Sequence, residues 1–180
     1  MTPTDILKHE HQIILLVLDA AEQEVRQIQD TGKVRTEKVD KMLDFFRNFA
    51  DRCHHAKEED LLFVKMQERG IPVAGGPIAV MLHEHNEGRQ RVRAVAEALP
   101  RAASGDASAI ASVTDNLSAY VQLLRAHIGK EDNILYPMAD RVFTPEDQQA
   151  LAAEFDRVEA EEMGAGVHER YHQLAHELAG

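Results

Sequence analysis

The sequence predicts an all-α protein, an up-down-up-down antiparallel four-helix bundle with an additional C-terminal helix. Three observations predict it. Apolar residues recur every three or four positions through four long segments, and no stretch alternates as a strand would. Breaks rich in glycine and proline, such as Gly70-Ile71-Pro72, leave only short connections between those segments. The chain also holds two copies of one pattern, each spread over two consecutive helices. Two such hairpins can pack as four helices.

The first helix is expected from about Pro3 to about Asp30. Pro3 suits a first turn, and Gly32 follows the end. The second starts after Thr36, a candidate N-cap, and stops at Gly70. The third starts near Pro77 and fades at Pro100, which has no backbone N–H to offer. The fourth runs from near Asp106 to about Arg141. The fifth opens at Thr144-Pro145-Glu146-Asp147, a cap with an acid three residues on, and Gly164-Ala165-Gly166 breaks it. On this reading residues 1–142 are the bundle and residues 143–180 a helical extension packed on it within the same domain.

Length and charge narrow the function. A chain of 180 residues can bury a sizeable core. Its net charge of −11 argues against nucleic acid or an anionic membrane as partner, because both require basic surface. Cys53 is the one cysteine, so there is no intrachain disulfide. No secretory leader opens the chain and no apolar run reaches the length of a membrane span. A cytoplasmic protein is expected.

The repeat carries the chemistry. In "HHAKEEDLLF", His54, Lys57, Glu58, Leu62 and Phe63 correspond to His127, Lys130, Glu131, Leu135 and Tyr136 in "HIGKEDNILYP", always 73 residues on. "HEH" occurs at His9-Glu10-His11 and again at His83-Glu84-His85, 74 residues on. At about 100° per residue, His11 lies inside the stripe of Leu7, Ile14 and Leu18. His85 lies inside that of Met81, Leu82 and Val92. His54 and Glu58 lie at the edge of the stripe of Phe46, Ala50 and Leu61. Glu131 lies inside, and His127 at the edge of, the stripe of Leu124, Ile128 and Leu135. Six titratable groups therefore face the core: His11, His54, Glu58, His85, His127 and Glu131.

A lone core histidine is commonly a satisfied polar residue, and one H-x-x-x-E on a helix is unremarkable. Two carboxylates and four imidazoles converging are another matter. A carboxylate buried without a partner is strongly disfavoured or stays protonated, so the set calls for a cation. H-x-x-x-E puts both side chains on one face one turn apart, where one metal accepts both or the carboxylate bridges two. Four nitrogen and two oxygen donors suit a pair of first-row metals, iron first, then manganese or zinc. Cys53 reads as core. Glu10, His55, Glu59, His83, Glu84 and Glu87 read as solvated or as hydrogen-bonding groups behind the donors. Tyr120 reads as packing, or as part of a pocket wall.

At these residues the sequence resembles the hemerythrin-like, or HHE cation-binding, domains. "KHEHQII", "HHAKEEDLLF", "LHEHNEGR" and "HIGKEDNILYP" carry the resemblance, over roughly residues 4 to 141. It implies a four-helix bundle around a carboxylate-bridged non-heme centre of two iron ions, oxo- or hydroxo-bridged. His11 and His54 would serve one iron, His85 and His127 the other, with Glu58 and Glu131 bridging. Oxygen carriers of the family use five histidines, with an H-x-x-x-H on the third helix. Here Met81 and Arg89 stand where the second would fall. The remaining set resembles bacterial di-iron proteins of nitrosative stress and iron–sulfur repair, and others that handle peroxide. The implied roles are binding or sensing O₂, NO or related oxidants, reducing or disproportionating peroxide or NO, or donating iron to clusters. In the tail, Leu151, Phe155, Val158 and Glu162 form one helical line. Glu162 then lies either at the edge of the packing, in water, or, if the fifth helix closes one end of the bundle, it or His168 approaches the metals as an extra ligand or a supporting acid.

Overall fold

The computed structural model describes residues 1–180, and all its regular structure is helical. α1 spans Pro3–Thr31. The Thr2 side chain accepts from the Asp5 backbone N–H while the Asp5 carboxylate accepts from the Thr2 N–H, a reciprocal cap that fixes the helix start. Gly32 ends it with φ at 69°, a left-handed conformation where the missing Cβ matters. α2 covers residues 36–68. Thr36 is its first helical residue and not its cap. Arg35, before it, instead sends its guanidinium to Glu24 of α1. α3 spans Pro77–Ala103, so it does not fade at Pro100. Leu99 and Ala102 are buried on either side and hold the last turn down. α4 covers residues 107–142, opened by the Asp106 carboxylate accepting from the Ala109 N–H. α5 covers residues 145–163 behind the Thr144 and Asp147 cap. α6 spans Val167–Ala179.

Three of these rods change their winding. Phe46–His55 and Glu58–Leu62 in α2, Glu131–Leu135 in α4 and Glu159–Met163 in α5 are π-helical. A π turn takes in an extra residue, so side chains along it rotate away from where α spacing would put them.

The interior has two apolar regions. The larger holds Ile14, Leu18, Phe46, Phe49, Val92 and Ile128. The smaller holds Leu7, Leu62, Met66, Met81, Leu135 and Tyr136. Along α1, His11 falls between Leu7 of the smaller region and Ile14 of the larger. Along α2, His54 and Glu58 fall between Ala50 and Leu62. Along α3, His85 falls between Met81 and Val92. Along α4, Glu131 falls between Ile128 and Leu135. A polar layer thus crosses the bundle between two apolar ones. Each fully buried Leu or Phe in the flanking layers contributes roughly 2 kcal/mol through burial. The polar layer gains nothing that way and depends on pairing. Tyr171, Ala175 and Leu178 add α6 to the larger region, against α1 and α2. No helix is long and apolar enough to cross a membrane.

Candidate metal centre

All six residues that the sequence turned inward lie in the polar layer, each 0–1% exposed. His127 Nε2 lies 3.0 Å from Glu131 Oε1 and 3.0 Å from His85 Nε2. His85 Nε2 lies 3.3 Å from Glu58 Oε2 and 3.8 Å from Glu131 Oε1. His11 Nε2 lies 3.1 Å from Glu131 Oε2, and His54 Nε2 lies 3.7 Å from Glu58 Oε1. Every histidine thus turns Nε2 toward the two glutamates.

The other ring nitrogens explain why. His54 Nδ1 meets Glu10 Oε2 at 2.8 Å, His85 Nδ1 meets Glu59 Oε1 at 2.9 Å, His127 Nδ1 meets Glu84 Oε1 at 3.2 Å, and His11 Nδ1 meets Asp132 Oδ1 at 2.7 Å. An ionised carboxylate only accepts, so Nδ1 carries a proton and Nε2 is the nitrogen that faces inward, where it offers a lone pair once it is deprotonated. Two lysines back this arrangement at matching repeat positions. Lys57 Nζ donates to Glu10 at 2.5 Å, and Lys130 Nζ pairs with Glu84. Tyr136, the repeat counterpart of Phe63, donates its hydroxyl to Glu58 Oε1 at 2.5 Å and stacks on His11.

The donor chemistry suits metal cations. Glu58 Oε2 and both oxygens of Glu131 are buried with no aligned hydrogen-bond donor, although imidazole nitrogens stand 3.0 to 3.8 Å from them. Protons relieve part of this. Burial opposes charge on His11, yet Asp132 and Glu131 raise its pKa to about 10. Burial opposes charge on His85 too, yet Glu131, Glu58 and Glu59 raise it to about 11. Burial also disfavours ionised Glu131, but His127, His11 and His85 hold its carboxyl well below the usual range. Donor atoms converge in two groups. One takes an atom each from His11, His54, Glu58 and Glu131, all within 4.8 Å of one another; the other does so from His55, Glu58, His85 and His127. Glu58 belongs to both, as a carboxylate between two cations would.

The model of the Hemerythrin HHE cation binding domain matches residues 2–139. The chain belongs to this family. An uncharacterized protein of Mycobacterium tuberculosis is 22% identical to the HHE protein described here over 162 residues, 90% of this chain and 62% of that one. An iron–sulfur cluster repair protein, YtfE, of Edwardsiella ictaluri is 30% identical over 135 residues, 73% of this chain and 59% of that one. YtfE of Dickeya chrysanthemi is 31% identical over 90 residues, covering 49% of this chain and 41% of that one. The chain therefore spans about three fifths of the length of the first relatives it matches. No solved structure gives a significant match.

Within this HHE domain His55 departs from the facing that the sequence predicts, and neither Glu162 nor His168 approaches the donor set. His55 points inward, only 5% exposed, with its ring stacked 3.8 Å from that of His85. Alpha spacing sets it nearly opposite the core, but it sits at the end of the long π segment of α2, where that spacing fails. Glu162 is exposed on a surface cleft with Arg52 and Met163, away from the polar layer. The π turn at Glu159–Met163 swings it off the line of Leu151 and Phe155. His168 also stays outside. Its Nε2 lies 3.6 Å from Glu10 Oε1 and 3.6 Å from Glu159 Oε1. Donor atoms of Glu10, Cys53, Glu159 and His168 cluster there, but Lys57 Nζ fills the charge role, 2.5 Å from each glutamate. Burial pushes the Cys53 thiol up to about 12, as fits a core residue. His9 and His83 are exposed.

Proposed function

We propose that this chain holds two metal ions, iron by preference, between His11 and His54 on one side and His85 and His127 on the other, with Glu58 and Glu131 bridging. The observation that carries this is the set of three buried carboxylate oxygens without aligned donors, ringed by imidazole Nε2 atoms. The order of the two apolar regions reverses from each of α1 to α4 to the next, which supports an up-down-up-down bundle over residues 1–142 with residues 143–180 as an extension. The bound metals would supply Lewis acidity and redox capacity toward a small ligand such as O₂, NO or peroxide. The protein's own contribution is orientation. Glu10, Glu59, Glu84 and Asp132 fix the ring tautomers, and the Tyr136 hydroxyl holds Glu58 in place.

A second reading is donation of iron to damaged clusters in the cytoplasm, favoured by the likeness to the YtfE proteins. Metal analysis of the purified protein with its optical spectrum tests the first reading. About two equivalents of iron and a spectrum that changes on NO addition are expected. Fewer than one equivalent after anaerobic iron loading overturns it. Loss of that iron to a mild chelator within minutes, under conditions where the fold persists, favours donation.

A further inference from the structure

A cleft of about 220 Å³ runs from the surface to His85 and His55. Its lining is basic in a chain whose net charge is −11: three arginines, Arg47, Arg89 and Arg93, against one acid, Asp51. Asp51 is neutralised within the wall, because Arg89 Nε donates to both its oxygens at 2.9 and 3.1 Å. Arg89 also donates to Glu59 at 3.0 Å, so it is spent on the carboxylate that orients His85. Arg47 and Arg93 stand exposed at the mouth and form no ion pair. Two uncompensated guanidiniums thus flank the opening.

The floor offers a polar group. His55 is buried, and its Nδ1 has no hydrogen-bond partner: Asp51 Oδ1 is 3.4 Å away and out of line. The repeat places Ile128 where the other half would carry this histidine, so the feature belongs to one half alone. The volume suits a small ligand, since one water takes about 30 Å³ of the liquid. The wall is close-fitting as well. A methyl at Gly88 would lie 3.3 Å from Tyr120 Cε2, so glycine leaves the ring its place.

We infer that this cleft is the docking path for a small monovalent inorganic anion, drawn in by Arg47 and Arg93, received by His55, and delivered on the side of His85 and His127. The inference rests on the di-metal reading for its destination, but not for its charge selectivity.

Two measurements separate these. In the iron-loaded protein, with metal content checked first, stopped-flow absorbance compares azide with NO. For the double variant Arg47→Ala/Arg93→Ala, azide association should slow about tenfold at low ionic strength. The difference should shrink as salt is added, and the rate for neutral NO should be unchanged. At matched metal content, His55→Phe, which keeps a ring against His85, should release azide about tenfold faster through loss of one charge-assisted hydrogen bond. In crystals of the metal-free protein soaked in bromide, anomalous signal should appear between Arg47, Arg93 and His55 and vanish in the double variant. Azide and NO slowed equally, or azide unaffected by all three substitutions together with no bromide in the cleft, overturns the proposal. Low metal in the wild type with bromide bound removes the destination and leaves the anion site standing.

Discussion

The two halves of the polar layer are built alike and enclosed differently. Each half has a histidine from an HEH segment, a histidine and glutamate from an H-x-x-x-E segment, and a lysine behind the HEH glutamate. Around His11 and His54 the surroundings are closed. Tyr136 covers His11, and Lys57 is fully buried between Glu10 and Glu159 of α5. Around His85 and His127 they are looser. Phe63 replaces the tyrosine, Lys130 is 41% exposed, and the cleft reaches His85. Duplication thus conserves the donors, while Tyr136 in place of Phe63, the packing of α5 and the cleft at His85 make the two sides unequal.

The largest expected effect tests what the halves share. Glu58→Ala and Glu131→Ala should each remove most of the bound metal, measured by plasma mass spectrometry, while Glu59→Ala retains far more. Equal retention in all three would break the comparison at its root. The next tests how they differ. Lys57→Met should destabilise the metal-free protein by about 3 kcal/mol in urea unfolding, because buried Glu10 loses its lysine and keeps only imidazole partners. Lys130→Met should remain under about 1 kcal/mol, since that pair is solvent-screened. Similar values for both would mean that α5 does not seal its half. Tyr136→Phe should speed metal loss to a chelator about tenfold, and Phe63→Ala should do much less. The smallest effect concerns protons. His11 and His85, at about 10 and about 11, stand above the ordinary value of about 6.5. Their contribution to stability in the metal-free protein is complete below about 6.5 and is lost as pH rises through about 10 to 11. Metal takes the same nitrogens unprotonated, so loading releases protons and strengthens as pH rises. Thermal unfolding across pH should give slopes of opposite sign for the two forms, and parallel slopes would contradict this.

Much of this was legible in the sequence, for a physical reason. Where winding is α-helical, 100° per residue places side chains correctly, so His11 and His85 fell inside their stripes. His54 and Glu58 lie at or just inside a π segment, and the repeat identified them even where spacing put them at an edge. His55 and Glu162 had no such second signal. One is π-wound and has Ile128 as its counterpart, and the other lies in a π turn outside the repeat. The carboxylates behind the histidines were ambiguous for a different reason. Glu10, Glu59 and Glu84 flank inward residues, and only the distance to an Nδ1 separates a supporting group from a solvated one. The cap at Thr144 was simpler, because an acid three residues on follows a local rule, whereas Thr36 had no such partner and proved to be the first helical residue.

The contacts at Nδ1 form a closed circuit. Glu10 of α1 holds His54 of α2, Glu59 of α2 holds His85 of α3, Glu84 of α3 holds His127 of α4, and Asp132 of α4 holds His11 of α1. Each helix steadies the next, and the last steadies the first. The chain itself is open, but Thr4 hydrogen-bonds Asp140 at 2.8 Å and brings the start of α1 against the end of α4. A loop of this kind has no terminal member. Circular permutants of the bundle with new ends in any one connection would keep all four links, whereas reversing the order of two helices would sever them.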